Sequence, residues 1–186
     1  MALLNIKTLS KDESKLAITI EQAKAHCFIV EDDTTQDSIL ADFISTAQSI
    51  LEGDSNMPYC FYQQEYLATF IADKERVLLP KSPVVSISKV EVENGIEWTT
   101  LDNSQYDFEQ GDDFDFVVLK SYKRGNEQKI RITFTAGNDT IRKDVQIAVA
   151  QLVAHLYEYR GMTTTQQVYD NSIYKHIVGR LKRISF

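Results

Sequence analysis

The sequence has few of the residues that catalytic and cofactor-binding motifs require. Its seven glycines never occur as G-x-G or G-K-[S/T], which excludes a dinucleotide-binding loop and a phosphate-binding P-loop. A G-x-S-x-G nucleophile elbow is missing as well. The two cysteines, Cys27 and Cys60, are too far apart for a redox motif and too few for a zinc framework. No stretch approaches the ~20 apolar residues that a membrane-spanning helix needs, so we expect a cytosolic protein without a membrane partner.

Histidines and acidic residues do not converge on a metal site either. His26 and the adjacent Cys27 could in principle ligate a metal with Asp32 or Asp33, but two adjacent side chains on a helix point in different directions. His155 and Glu158 have the i, i+3 spacing of metal-binding helix bundles, yet no second such pair exists. We therefore predict a packing or hydrogen-bonding role for His155. The cluster Asp112, Asp113 and Asp115 lacks the glycine position and the bidentate glutamate of a calcium loop, and we interpret it as a solvated hairpin turn. We expect no catalytic residue, no metal and no cofactor.

Length and charge describe an ordinary globular protein with an uneven charge distribution. The 186 residues, 43% of them apolar and 25% charged, predict a single domain covering residues 1–186. The net charge is −7, so the surface as a whole should not attract nucleic acid. The last twelve residues nevertheless carry four cations and no acid, which leaves −11 on the rest of the chain. This basic segment is either a partner-binding element or a solvated last helix that complements its own dipole.

Helical patterns occupy both ends of the chain. Thr19 and Gln22 have the spacing of a capping box at the start of a short helix over residues 20–27. A second helix is predicted to begin after Asp33 or Thr34, behind an acidic stretch, and to end at Gly53. A third begins at about Asp144, its predicted N-cap, and ends before Gly161; it should pack on the second helix. The apolar positions expected to form this bundle core are Leu40, Phe43, Ile44, Ala47, Leu51, Val149, Leu152 and Leu156.

The middle of the chain has the period-two pattern of β-strands. Residues 84–92 alternate apolar and polar side chains, and Asn94-Gly95 is a strong type I′ hairpin signal. Residues 114–120 and 129–135 are predicted to pair around a turn at residues 124–126. The predicted fold is therefore α+β: a helical bundle formed by residues 17–56 and 141–186, carrying a β-rich insert, residues 57–140, as a small antiparallel sheet or sandwich.

Several segments, in their order and spacing, resemble one family. The strand end and glycine turn at residues 132–138 are followed by a helix that closes at residues 155–161. Further similar pieces precede them at residues 16–26, 31–33, 51–53, 79–87 and 106–108. Over nearly its whole length the chain resembles the head-to-tail connector family (adaptor or head-completion proteins) of long-tailed bacteriophages and related gene transfer particles.

This resemblance implies a structural virion protein rather than an enzyme. Such proteins form a ring, commonly dodecameric, below the portal; the ring extends the DNA channel and offers a platform for a stopper or tail protein. The expected partners are the portal protein, the next connector or tail protein and further copies of the chain. Double-stranded DNA would pass through the lumen without specific binding. The expected location is the head-tail interface of the virion, after assembly in the host cytoplasm.

The basic carboxyl-terminal segment is the predicted portal contact. Its apolar residues form one stripe if residues 172–183 are helical, with the cations mostly off that stripe. Two other functions stay open at this point: a tail-completion or terminator ring protein, and a metal-dependent hydrolase. The predicted portal-docking residues are Lys175, Ile177, Arg180, Leu181, Lys182, Arg183, Ile184 and Phe186.

Overall fold

The chain divides into two compact units. The β unit contains residues 1–12 and 62–139, and the helical unit contains residues 13–61 and 140–186. None of the helices in the described part of the chain is long and apolar enough to cross a membrane. The computed structural model describes residues 2–12, 14–53, 59–111, 114–120, 127–159 and 179.

Eight strands make up two antiparallel sheets in the described part of the β unit. A five-stranded sheet has the order β1-β2-β8-β4-β5, and a three-stranded sheet has the order β3-β7-β6. Every pairing between neighbouring strands is antiparallel. The strands are β1 (Ala2–Ser10), β2 (Gln64–Ala72), β3 (Arg76–Leu78), β4 (Val84–Asn94), β5 (Glu97–Thr100), β6 (Tyr106–Glu109), β7 (Phe116–Leu119) and β8 (Gln128–Ala136).

Strict alternation along β2 and β8 builds the core of the β unit. Every second side chain is buried along the whole of β2 and from Ile130 to Ala136 on β8, as the period of two in the sequence requires. The two strands are in register over their whole length, with Tyr66 opposite Phe134. The rings of these two residues stack with centroids 5.7 Å apart. Since burying one large apolar side chain stabilises the fold by about 1.5–3 kcal/mol, this shared face is a large part of the unit's stability.

The other face of the same sheet carries a charged cluster centred on Glu91. Arg131, its cross-strand partner, donates two hydrogen bonds to the Glu91 carboxylate, Nε to Oε2 at 2.6 Å and a terminal guanidinium nitrogen to Oε1 at 3.0 Å. Lys89 Nζ lies 2.7 Å from Oε1. The Arg131 guanidinium also stacks 4.3 Å from the ring centroid of Trp98 on β5. These hydrogen bonds from Arg131, reinforced by Lys89, lower the pKa of Glu91 from 4.5 to about 2 even though its burial acts in the opposite direction.

Three helices form the described part of the helical unit: α1 (Ile20–His26), α2 (Asp37–Gly53) and α3 (Lys143–Glu158). As the apolar patterns predict, α3 packs against α2, and α1 contacts both of them. The capping box at the start of α1 is confirmed, because Thr19 Oγ1 accepts from Gln22 N at 3.2 Å and Gln22 Oε1 accepts from Thr19 N at 2.9 Å. These two bonds satisfy free N–H groups at the helix start.

The predicted helical bundle with a small insert is wrong. Strands outnumber helices in the described part of the chain, and residues 2–10, to which the sequence analysis assigned no element, form β1. The broader α+β class is correct. β1 escaped prediction because it is an edge strand whose two faces are both largely exposed. Without a buried face, a strand carries no complete apolar stripe in its sequence.

The predicted pairing of residues 114–120 with residues 129–135 is also wrong. β7 pairs with β3 and β6 in the smaller sheet, whereas β8 lies between β2 and β4 in the larger one. Neighbouring strands in sequence often pair, which is why the sequence favoured the local hairpin. The predicted turn at residues 124–126 lies outside the described residues. The predicted hairpin is confirmed, because Asn94 pairs with Glu97. The predicted type I′ turn is wrong: the two turn residues are Gly95 and Ile96, and only Gly95 has a positive φ, of 67°, whereas type I′ needs a positive φ at both.

Two acidic residues differ in role from their predictions. Asp115 does not lie in a solvated turn: it is 1% exposed, and its Oδ2 accepts a 2.9 Å hydrogen bond from Val84 N. It thereby ties the start of β4 to the segment before β7. Asp144 is not the N-cap of α3, because that position is Arg142, whose side chain makes no capping hydrogen bond. Asp144 instead lies in the first turn and pairs with Arg142. There its charge still complements the helix dipole.

Gly137 permits a close approach of two backbone segments at the end of β8. Its φ is 132°, and a Cβ at this position would overlap the main-chain carbonyl oxygen of Tyr62. Its N–H donates to Pro83 O at 2.8 Å, so the backbone is fixed from two sides. An isolated parallel bridge between Tyr62 and Asn138 lies beside it.

We predict that Gly137→Ala lowers the free energy of unfolding by about 2–4 kcal/mol, because the new methyl group meets immobile backbone at a φ that alanine avoids. Gly95→Ala is the matched control. It has a positive φ but no atom within 4 Å of the added Cβ, so a loss of about 1 kcal/mol is expected. Urea denaturation of both variants measures the difference, and equal losses would show that the contact with Tyr62 is unimportant.

A second prediction concerns the pH dependence that Glu91 confers. A carboxyl group whose pKa falls from 4.5 to about 2 on folding stabilises the native state fully above pH 4.5. That stabilisation is lost as the pH falls towards 2. At pH 7 the wild type should be more stable than Glu91→Gln by on the order of 3 kcal/mol, and the gap should shrink steadily below pH 4.5. Glu97→Gln, which removes an exposed carboxylate from β5, should have little effect. A gap for Glu91→Gln that stays constant from pH 7 to pH 2.5 would refute the assignment.

Candidate assembly surfaces of the helical unit

The end of α1 holds an aromatic residue in an unusual conformation. Phe28 has a φ of 57°, the left-handed region that favours glycine, and its residue surface is 96% exposed. Cys27 is the C-cap, and Ile29 N donates to Lys24 O at 3.0 Å, a bond that closes the helix end as in a Schellman motif. Val30, two residues further on, is 73% exposed. The sequence therefore places two apolar side chains in solvent at a helix end.

The segment between α1 and α2, residues 27–36, is tied down by a buried lysine; we call it the Phe28 loop. The side chain of Lys24 is 5% exposed, and its Nζ donates to Glu31 O at 3.0 Å and lies 2.7 Å from Asp37 Oδ1. Asp33 Oδ1 accepts from Thr35 N at 2.9 Å and from Thr35 Oγ1 at 2.6 Å. The loop is therefore ordered by a buried ion pair and a local turn.

These contacts also correct the predicted start of α2. The helix begins at Asp37, later than the predicted start just after Asp33 or Thr34. Asp33 forms the turn with Thr35 instead of lying in the first helical turn, where Asp37 takes the place of the expected acidic residues. Aspartate side chains compete with helix formation in this way by bonding to the backbone two residues ahead.

A shallow groove lies between α1 and α3. It measures about 250 Å³, and its apolar lining comes from Ile18, Ala25, Ile147 and Ala150. Ile147 is 44% exposed although it lies within α3, so the groove presents apolar surface to solvent. Its polar lining residues are Gln22, His26, Lys143 and Gln146.

The predicted bundle-core positions differ in burial. Phe43 and Leu156 are intermediate in exposure, while the other six side chains are buried. The predicted portal-docking residues all lie outside the described residues, so the structure places none of them. The buried core positions are Leu40, Ile44, Ala47, Leu51, Val149 and Leu152.

The two described histidines have packing environments. The ring of His155 lies against Tyr159 with centroids 4.7 Å apart, which is the packing role predicted for it. His26 lines the groove between α1 and α3. Among the described residues, no three or more His, Cys, Asp or Glu side chains are placed to share a metal ion. Burial raises the pKa of the Cys27 thiol, which disfavours the reactive thiolate.

The sequence patterns did not predict the two apolar surfaces of the helical unit, the Phe28 loop and the α1–α3 groove. The exposure of Phe28 and the burial of Lys24 both reverse the usual preferences of these residue types. Composition and periodicity would therefore predict a buried Phe28 and an exposed Lys24. One signal was available: α1 ends at a position where glycine or asparagine is expected, and the chain has phenylalanine there. The groove depends on how α1 crosses α3, which no local pattern encodes.

The fold is similar to that of known proteins. Among solved structures, the chain is similar to a protein in the neck of an empty gene transfer agent (GTA) particle computed with C6 symmetry, with a TM-score of 0.74, 14% identity, and coverage of 98% of this chain and 97% of that one. A chain from the neck of a native GTA particle computed with C12 symmetry has a TM-score of 0.72 and 15% identity, and the match covers 98% of this chain and 97% of that one. A chain from the virion of a native gene transfer agent has a TM-score of 0.72 and 14% identity, and the match covers 97% of this chain and 96% of that one. At these identities the likeness shows the fold.

The comparison with protein families is more specific. No curated protein sequence matches the chain at a significant level. The model of the family described as head completion protein (HCP) matches residues 17–175. Because this match covers well over half of the sequence, the chain belongs to the head completion protein family.

Proposed function

We propose that the protein is a head-to-tail connector that forms a ring below the portal of a tailed-phage-like particle. The observation that carries the proposal is the family match over residues 17–175, which assigns a structural rather than an enzymatic role. The fold likeness supports it, since the similar chains belong to the necks of gene transfer agent particles, described with C6 and C12 symmetry. On this proposal the ring is dodecameric, lies at the head-tail interface and is assembled in the host cytoplasm.

The charge of the chain fits a channel for DNA. With a net charge of −7, the protein as a whole does not attract phosphate, so double-stranded DNA can pass without being held. The ring would extend the portal channel and present a platform for a stopper or tail protein. We place the ring contacts in the helical unit, whose groove and exposed loop offer surfaces for a neighbour.

The first prediction of this function concerns assembly. The isolated protein should be a monomer or a weak, concentration-dependent oligomer, and should form a closed ring when the portal protein of the same particle is added. Native mass spectrometry with and without portal measures the stoichiometry. A tight, closed dimer in both conditions would contradict the connector function.

We further propose that the basic carboxyl-terminal segment docks on the portal. The support is its charge: four cations and no acid over residues 175–186, behind a body of charge −11. The family match covers residues 17–175, so this segment overlaps it only at its first residue.

Deleting residues 172–186 should abolish portal binding and leave the thermal melt nearly unchanged. A finer test neutralises three cations, Arg180→Gln, Lys182→Gln and Arg183→Gln, which should weaken portal binding about tenfold and reduce its salt dependence. The control removes the same charge from Lys7, Lys11 and Lys15, all exposed, and should leave portal affinity unchanged. Unfolding of the deletion variant, or equal effects of the two triple variants, would contradict docking through this segment.

A further inference from the structure

Phe28 is costly for its own subunit in two respects. A left-handed φ of 57° is strained for a residue with a Cβ such as phenylalanine, whereas glycine adopts it freely. Burial of the ring does not offset this strain within the subunit, because the residue is 96% exposed. Isolated exposed apolar residues are common on protein surfaces and need no explanation. Phe28 differs because strain and exposure coincide, and because Val30 extends the apolar surface beside it.

The Phe28 loop is also prepared for contact. Lys24 and Asp33 fix the loop through the bonds described above, so little conformational freedom remains to be lost on binding. A large apolar side chain on an ordered loop can anchor an interface, because little loop freedom is lost when it binds.

The groove between α1 and α3 matches this anchor in size and chemistry. Its volume of about 250 Å³ is below the ~300–1,000 Å³ of most small-molecule sites, which suits one or two protein side chains better than a cofactor. Its apolar lining, including the half-exposed Ile147, suits an aromatic ring.

Charge favours the same pairing. Glu31 and Asp32 are exposed on the Phe28 loop, and Lys143 is exposed at the groove. The nearby acid Asp144 is already paired with Arg142. A negative loop and a positive groove on the same protein are complementary between copies.

We propose that Phe28 of one copy inserts into the α1–α3 groove of a second copy, and that this contact joins neighbouring subunits of the connector ring. The proposal rests on the proposed function. Because the loop and the groove are different surfaces, the contact can repeat head to tail from copy to copy, which is the heterologous kind that closes into rings. One buried aromatic side chain contributes about 150–250 Å², far less than the ~800 Å² per partner of a stable interface. The contact is therefore weak alone and becomes effective when portal holds the copies side by side.

Phe28→Gly separates assembly from folding. Glycine relieves the strained φ, so the thermal melt should stay the same or rise, whereas portal-dependent ring formation should require about tenfold more protein or more. Native mass spectrometry over a concentration series measures the ring. Ile96→Ser, which removes a fully exposed isoleucine from the β4–β5 turn, is the control and should assemble like the wild type.

The groove is tested with a second matched pair. Ile147→Glu places a carboxylate where the ring should bind and opposite Glu31 and Asp32, so it should block assembly at least as strongly as Phe28→Gly. Ile39→Glu is the control, because Ile39 is similarly exposed, at 38% against 44%, but lies on α2 outside the groove. Assembly should survive in Ile39→Glu.

Cross-linking identifies the two surfaces directly. In a Cys27→Ala background, Phe28→Cys protein is mixed with Ile147→Cys protein on portal and oxidised. The expected product is a disulfide between the two variants. Self-linked Phe28→Cys dimers alone, or no cross-link within assembled rings, would overturn the proposal.

The outcomes also separate this inference from the proposed function. If the wild type forms no ring with portal, both fail. If the wild type forms a ring and Phe28→Gly does so at the same concentration, only the Phe28 contact fails. If Phe28→Gly no longer binds portal even as single copies, the loop contacts the portal, and the contact between copies is again overturned.

Discussion

The rest of the β unit depends on the position of β8 between β2 and β4. Both pairings are long-range, and each aligns the buried face of β8 with a buried face on its neighbour. Ile130, Ile132 and Phe134 are fully buried as a result, while Arg131 on the opposite face meets Glu91 across the strand pair. A slip of one residue would place arginine in the core and phenylalanine in the charged cluster. The register of this one strand therefore fixes the core, the ion pair and the tight turn at Gly137 together.

Buried charged groups hold neighbouring segments together in both units. Glu91 joins β4 to β8, Asp115 fixes the start of β4, and Lys24 orders the loop between α1 and α2. In each case the group bonds to a partner distant in sequence or to main chain, which compensates for its removal from water. Such groups need not add much net stability, but they make alternative arrangements expensive, because an unpaired buried charge is strongly unfavourable. Loops that must present a surface to a neighbour benefit from this kind of restraint.

An assembly protein of this kind has to reconcile solubility with association. Each copy carries a net charge of −7, and in the described part of the helical unit the Phe28 loop and the α1–α3 groove both expose apolar side chains. Weak contacts of this size allow rings to form on a template and disfavour uncontrolled association in solution. Family membership assigns the structural role. The geometry of the helical unit suggests how copies recognise one another.

The sequence by itself determined the features that short-range physics controls. The capping box at Thr19 and Gln22, the Asn94-Gly95 hairpin and the apolar faces of α2 and α3 depend on residues within one or two turns, so local spacing was enough to predict them. Family resemblance added the structural role. Only the tertiary structure decided which strands pair. The alternation in β7 and β8 shows that one face of each strand is buried, but it does not identify the neighbouring strand. The tertiary structure also decided β1, which has no buried face and therefore no apolar alternation in its sequence. It likewise decided the burial of Lys24 and the exposure of Phe28, which reverse the normal preferences of these residue types. Those positions are set by contacts between distant segments, and a pattern read along one segment contains no information about them.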